Sequence, residues 1–114
     1  MQVDKFSEGL CFDDVLLSPQ YSDVTSRRDV DISVKTKTMG DLEIPIVSSP
    51  MDTVTEMAMA SSMSKHGGLG IIHRYNSIET QSKLVKKSLN GGARIVGVAV
   101  GVSGDYIDRA CSAY

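Results

Sequence analysis

The chain has 114 residues, a length that suits one small domain, and its net charge of −2 gives no electrostatic reason to expect a nucleic acid or an anionic membrane as a partner. No apolar run approaches the roughly 18 residues of a membrane span, and the N-terminus lacks the apolar core of a signal peptide. The two cysteines, Cys11 and Cys111, have no metal-ligand spacing, so the composition is typical of a cytoplasmic protein with reduced thiols.

The first 43 residues predict an N-terminal extension followed by a β-hairpin. Residues 10–19, LCFDDVLLSP, form a short apolar cluster that ends at a proline and is typical of an extended segment packed on a larger body. Residues 29–36, DVDISVKT, alternate between apolar and polar, which predicts a half-buried strand. The Gly-Asp pair at 40–41 then predicts the turn of the hairpin.

From residue 44 onward, predicted strands and helices alternate with a spacing of about 25 residues, which is typical of parallel βαβ units. The strands are apolar throughout, as expected in a sheet that is covered on both faces. Strands are predicted at 44–49, 69–73 and 94–100, and helices at 53–66 and 77–89. A glycine pair closes each of these two helices, and a third helix opens at Ser103 or Asp105.

Side-chain patterns add detail to the second and third helices. Asn76 is predicted to cap the second helix, with Glu79 three residues later completing an approximate capping box. The third helix is predicted to bury the residues that recur at helical spacing. These residues are Ile107, Ala110, Cys111 and Tyr114. On this pattern Cys111 belongs to the core, and Cys11 lacks a basic neighbour that would activate its thiol.

Two architectures accept the βα pattern: a doubly wound sheet and a (β/α)8 barrel. Eight units at this spacing would need about 200 residues, which is close to a compact barrel. Three parallel strands alone would leave two open edges. Because the sequence stops at Tyr114 within the third helix, we expect an N-terminal fragment of a longer barrel, with a natural 114-residue protein as the alternative.

Ligands bind at the carboxyl ends of the strands in both architectures, so the loop after the first strand is the most informative. Ser49 offers a hydroxyl, Asp52 a carboxylate, and Met51 a soft apolar surface for a flat ring. The alternative is an ordinary turn in which Asp52 or Thr53 caps the helix and Met51 fills the core.

The loops after the second and third strands are more ambiguous. His73 can bind a ligand or be hydrogen-bonded at the barrel rim, and Arg74 can contact an anion or be solvated. The glycines of VGVAVGVSGD do not have the spacing of a dinucleotide-binding loop, and HGGLG precedes a strand, which is the wrong order for a phosphate site.

Four segments, in a fixed order, resemble the IMP dehydrogenase / GMP reductase family. They are LCFDDVLLSP (10–19), IPIVSSPMDTVTE (44–56), GGLGIIHR (67–74) and VGVAVGV (96–102). The resemblance extends from about residue 8 to the end, and SSPMDTVTE is its most specific segment. It implies the N-terminal part of a (β/α)8 TIM barrel, with about three βα units (44–114) preceded by an extension and hairpin (1–43), in a single catalytic domain.

The resemblance also implies roles for individual residues. Ser49 and Met51 would touch the substrate nucleotide, Asp52 would hold the turn or face the ribose, and Arg74 would lie near the cofactor. The nucleophilic cysteine, the phosphate-binding loops, the potassium site and the mobile flap of the family lie downstream, so no catalytic residue is expected in this chain. Family members are typically homotetramers that act on small-molecule nucleotides, IMP or GMP.

Within the family, the motifs FDDVLL and SSPMDTVTE resemble the dehydrogenase branch more closely, and a dehydrogenase oxidises IMP to XMP with NAD. The alternative is a GMP reductase, which converts GMP to IMP with NADPH and carries a lysine where this chain has Arg74. The regulatory CBS-module insertion of many dehydrogenases is absent, because residues 83–100 run directly into the third strand. A non-catalytic nucleotide-binding fragment and an unrelated βα enzyme remain alternatives.

Overall fold

The computed structural model describes residues 8–114, which divide into two compact units: the first runs to Val30, and the second is Asp31–Tyr114. The predicted extension at 1–43 therefore begins outside the described residues. In the described part of the first unit the regular elements are two 3-10 helices, Phe12–Asp14 and Arg27–Asp29, and no residue is buried.

The predicted hairpin is reduced to one antiparallel bridge. The amides of Val34 and Leu42 each donate to the other's carbonyl, at 2.8 and 2.9 Å, across a turn in which Gly40 has φ +78. The strand predicted at 29–36 does not form. The carboxylate of Asp31 accepts the Ser33 amide at 2.9 Å, and this local bond replaces a bond that a strand ladder would use.

The second unit is an α/β structure built on a three-stranded parallel sheet, in the order β1 (Val47–Ser48), β2 (Leu69–Ile72) and β3 (Gly97–Val98). Val47 is paired with Leu69, and Ile71 with Gly97. All three strands were predicted, but β1 and β3 are shorter than expected. Each of these two strands pairs with only one other strand among the described residues. Before β1, the Ile46 amide bonds to the Ile44 carbonyl rather than to a neighbouring strand.

Three helices follow the strands: α1 is Met57–Lys65, α2 is Ile78–Asn90 and α3 is Tyr106–Ala113. The start of α1, predicted at residue 53, lies later because the amides of Val54 and Thr55 both donate to the carbonyl of Met51 and form a separate turn. None of the helices within residues 8–114 is long and apolar enough to cross a bilayer.

The cap of α2 is Ser77 rather than the predicted Asn76. The Ser77 hydroxyl accepts the amide of Thr80 at 3.2 Å, which satisfies one of the free amides of the first turn. The Asn76 side chain makes no such bond, because Asn76 precedes the cap and its carbonyl is held by another side chain.

The glycine closures of α1 and α2 are confirmed. Gly67 and Gly92 have φ values of +81 and +89, the left-handed conformation that an L side chain rarely adopts. After each glycine, an amide returns to the last turn: Gly68 to the Met63 carbonyl at 2.9 Å, and Ala93 to the Ser88 carbonyl at 3.0 Å. Both ends are Schellman motifs.

The buried apolar cluster consists of Ala60 of α1, Ile72 of β2 and Val85 of α2. α1 contacts β1, β2 and α2, and α2 contacts α3. Neighbouring helices that touch one another while their strands pair in sequence order lie on one face of the sheet. A barrel repeats this arrangement, and one half of a doubly wound sheet has it as well.

The inward face predicted for α3 is wrong. Its four predicted members are all exposed: Ile107, Ala110, Cys111 and Tyr114. The buried residue of α3 is Arg109, and the Ser112 carbonyl accepts a 2.7 Å bond from the Ser82 hydroxyl of α2. Polar bonds thus tie α3 to α2 and to the loop after β2, while Ala113 is the apolar residue of α3 that packs against the buried cluster.

Candidate functional site at the carboxyl ends of the strands

The three strands are parallel, so the loops after β1, β2 and β3 emerge at one edge of the sheet. The loop after β1 is held by Thr55, which is completely buried. Its hydroxyl oxygen lies 2.6 Å from the Ser49 carbonyl oxygen and 2.9 Å from Ser48 Oγ. One buried threonine therefore ties the far side of the loop to the end of β1.

The side chains proposed for substrate binding face outward from this loop. Ser49 and Asp52 are exposed, and Met51 is 49% exposed. The Asp52 carboxylate accepts the Thr53 amide at 2.9 Å. The alternative of an ordinary capped turn is not what forms, because the N-cap of α1 is Glu56 and Met51 is not in the core.

An open depression of about 460 Å³ lies on the α1 side of this loop. Its lining includes Asp52, Glu56 and Met59 but neither Ser49 nor Met51. Of the three candidate residues, Asp52 alone borders this depression.

His73 ends the buried part of β2 and is 2% exposed. Its Nδ1 accepts the Tyr75 amide at 3.1 Å, which leaves Nε2 to carry the proton and donate to Glu56 at 3.4 Å. Of the two roles predicted for His73, the structure shows a side chain that is hydrogen-bonded at the end of its strand. It joins the end of β2 to the cap of α1, and so to the loop that carries Ser49.

Arg74 is exposed and reaches the loop after β3. A Cβ placed on Gly101 would lie 3.4 Å from Arg74 Nη1, so the guanidinium lies against a backbone without a side chain. The hydrogen bond from Arg109 is the main reason that the pKa of Asp105 lies below its ordinary value, and the charge of Arg74 lowers it further. This edge of the sheet therefore holds an exposed cation with a carboxylate nearby.

Beneath these loops lies a polar cluster that the sequence did not reveal; we call Gln81, Arg109 and Asp105 the clasp. Gln81 Nε2 donates to the carbonyls of His73 and Ala99, both at 2.9 Å. Arg109 donates to Gln81 Oε1 at 3.1 Å and to the Asn76 carbonyl at 3.2 Å, and forms a 2.7 Å ion pair with Asp105. The four-residue spacing of Asp105 and Arg109 was the one available signal.

Two other chemistries have no support in the described residues. No group of three or more His, Cys, Asp and Glu side chains within residues 8–114 is arranged to hold a metal ion. The Cys11 thiol lies 2.9 Å from Asp14 Oδ2, and donation of that hydrogen bond lowers the pKa of Asp14. Cys11 is thus bonded to a carboxylate rather than to the basic neighbour that activates a nucleophilic cysteine.

Comparison with known proteins gives one family. The IMP dehydrogenase / GMP reductase domain matches residues 9–113. The chain is 46% identical to the inosine-5'-monophosphate dehydrogenase of Nitrosopumilus maritimus over 101 residues, which are 89% of this chain and 21% of the relative. It is 58% identical to the enzyme of the same name from Bacillus subtilis, over 76% of this chain and 18% of the relative.

Similarity extends to the reductase branch. The chain is 51% identical over 80 residues to a GMP reductase of Leishmania donovani, a stretch that covers 70% of this chain and 16% of the relative. The chain thus spans about a fifth of the length of the curated relatives that it matches.

Proposed function

The chain belongs to the IMP dehydrogenase / GMP reductase family, and from this premise we propose that it forms the N-terminal part of a (β/α)8 barrel that oxidises IMP to XMP. In this proposal residues 1–43 are an extension and hairpin, and residues 44–114 are the first three βα units. The single-faced helix layer on a sequential parallel sheet supports a barrel.

The observation that carries the proposal is the exposure of Ser49 and Met51 on a loop held from below by Thr55. A hydroxyl can bond to a nucleotide, and a methionine side chain can lie against the flat purine. Because Thr55 and the end of β1 fix the backbone, ligand binding does not have to order the loop itself. In this proposal the Asp52 carboxylate holds the turn or faces the ribose of the nucleotide.

NAD would supply a hydride acceptor for the oxidation of IMP at C2. The residues that suit it are those after β2 and β3, where the exposed cation of Arg74 lies against the open backbone of Gly101. An exposed guanidinium beside backbone suits an anionic group such as a pyrophosphate. NADP is the alternative cofactor.

Residues 1–114 supply no catalytic nucleophile in this proposal, because Cys11 is paired with Asp14 and Cys111 lies near the far end of α3, away from the strand ends. We therefore expect the isolated 114-residue chain to produce no NADH from IMP and NAD. Turnover by that chain would contradict the assignment. A potassium ion, a homotetramer and a cytoplasmic location belong to the proposal for the complete protein and rest on the family alone.

GMP reduction with NADPH is the second candidate, favoured by the 51% identity to the Leishmania GMP reductase. The two activities are separated by incubating the full-length polypeptide that contains this chain with IMP and NAD, or with GMP and NADPH. We expect XMP from the first mixture. Formation of IMP from the second mixture alone would assign the reductase, and failure of both, with retained nucleotide binding, would leave a non-catalytic binding protein.

A further inference from the structure

The clasp connects two strands beyond the point where their ladder ends. The last backbone bond between β2 and β3 joins the Ala99 amide to the Ile72 carbonyl at 2.9 Å. The next carbonyls, those of His73 and Ala99, both accept from the one amide group of Gln81. Gln81 therefore extends the pairing of the strands by a side chain, at the level where the loops begin.

Burial makes this connection specific. Gln81 is 1% exposed and Arg109 is 7% exposed, so neither can exchange its partners for water without leaving polar groups unpaired. Arg109 orients Gln81 by donating to its side-chain oxygen, which directs the Gln81 amide group at the two carbonyls. Arg109 also grips the Asn76 carbonyl with both terminal nitrogens, at 3.2 Å each. The start and the end of the loop after β2 are thus held by one pair of side chains.

What the clasp holds in place is the pair of loops that carry Arg74 and Gly101. The first loop is fixed at His73 and Asn76, and the second at Ala99 and Asp105. Arg74 and Gly101 project from the middle of these loops and lie against each other. Among the described residues, the loop after β1 is held by Thr55, makes no bond to Gln81 or Arg109, and meets the end of β2 only through the 3.4 Å contact between His73 and Glu56.

From this geometry we propose that Gln81 and Arg109 are positioning residues of the cofactor side of the site. They touch no ligand and act by setting the separation of the loops after β2 and β3, and hence the placement of Arg74. The inference rests on the proposed function, because it assigns the cofactor to these two loops and the substrate to the loop after β1.

The decisive variant is Gln81→Glu, made in the full-length polypeptide. It retains the oxygen that accepts from Arg109 and removes both donors to the strand-end carbonyls. We expect the KM for NAD to rise by about tenfold, since small displacements of binding groups have effects of this order or larger. The KM for IMP is expected to change by less than about twofold, because the clasp does not hold the loop after β1.

Ser88→Ala is the matched control. Ser88 is a fully buried polar residue of the same helix, but its hydroxyl bonds only to the Leu84 carbonyl within α2. It should lower stability without separating the two KM values. Gln81→Met, which has a similar length and no donors, replaces Gln81→Glu if the latter does not fold.

Amide hydrogen exchange of the free protein gives a readout that is independent of activity. In Gln81→Glu we expect faster exchange at Tyr75 and at 101–104, and no such change in Ser88→Ala. Unchanged exchange, or a loss of stability with both KM values unaltered, would overturn the clasp inference while the proposed function stood. A wild-type protein without either oxidoreductase activity would remove the proposed function, and the positioning role would fall with it.

Discussion

The loop after β1 and the pair of loops after β2 and β3 lie at the same edge of the sheet but are held by different chemistry. A neutral hydroxyl, that of Thr55, fixes the first. A buried guanidinium and a buried amide, those of Arg109 and Gln81, fix the other two. The side chains proposed for ligand contact are exposed in both places. The residues that hold the loops are buried, and their removal should lower the free energy of unfolding by different amounts.

The largest effect on stability should come from removing the guanidinium of Arg109. Arg109→Ala leaves the Asn76 carbonyl and the Gln81 side-chain oxygen without their donor and opens a gap between α2 and α3. We expect a loss of about 3 kcal/mol in the free energy of unfolding, because two acceptors lose their donor and the packing of the Arg109 side chain is lost as well. Urea unfolding measures it. Lys83→Ala, at an exposed residue of α2, is the control.

Removal of the Thr55 hydroxyl should cost less in free energy of unfolding. Thr55→Val keeps the shape of the side chain but removes the hydroxyl near the Ser49 carbonyl and Ser48 Oγ. The free energy of unfolding should fall by about 1–2 kcal/mol, and the affinity for IMP should fall with it. Thr53→Val, at the exposed neighbour in the same loop, should change neither. Equal losses from Arg109→Ala and Thr55→Val would remove the contrast between the two regions.

The smallest effect is the pH dependence of Asp105. Its pKa is held below the ordinary value of 3.8 mainly by the hydrogen bond from Arg109. A carboxylate with a depressed pKa stabilises the folded state above its unfolded-state value, and this contribution is lost as the pH falls through the folded-state pKa. Wild type should therefore exceed Asp105→Asn in melting temperature at neutral pH. The difference should disappear in acid, as the pH falls through the folded-state pKa of Asp105.

The control for this titration is Asp108→Asn, which removes another exposed carboxyl of α3. That variant keeps the ion pair between Asp105 and Arg109, so its gap to Asp105→Asn should close in acid as that of wild type does. A gap between wild type and Asp105→Asn that stayed constant into acid would mean that the ion pair with Arg109 does not stabilise the fold.

Much of the second unit was predictable because local rules determine it. Gly67 and Gly92 predicted the ends of α1 and α2, since few other residues adopt the left-handed conformation there. The run around Ile72 predicted the buried central strand. The exposed loop with Ser49 and Met51 was located from the rule that ligand sites follow parallel strands, although its binding role stays a prediction.

The errors arose where local bonds or distant partners override a pattern. Alternation over 29–36 predicted a strand, but the Asp31 side chain bonds to the backbone two residues later. Helical spacing predicted that Ile107 and Cys111 are buried, but both are exposed and the buried residue of α3 is Arg109. Two partners of Arg109, Asn76 and Gln81, are about 30 residues earlier in the chain, and single-sequence periodicity carries no information about them.

The central claim is that the exposed hydroxyl of Ser49 and the thioether of Met51 contact a purine nucleotide. Its most direct test is calorimetric titration of IMP into the full-length polypeptide and its Ser49→Ala and Met51→Ala variants, with Met39→Ala as a methionine control of equal exposure. We predict that each loop variant weakens IMP binding by about tenfold, while Met39→Ala binds as wild type does. Unchanged IMP affinity in both loop variants would contradict the account.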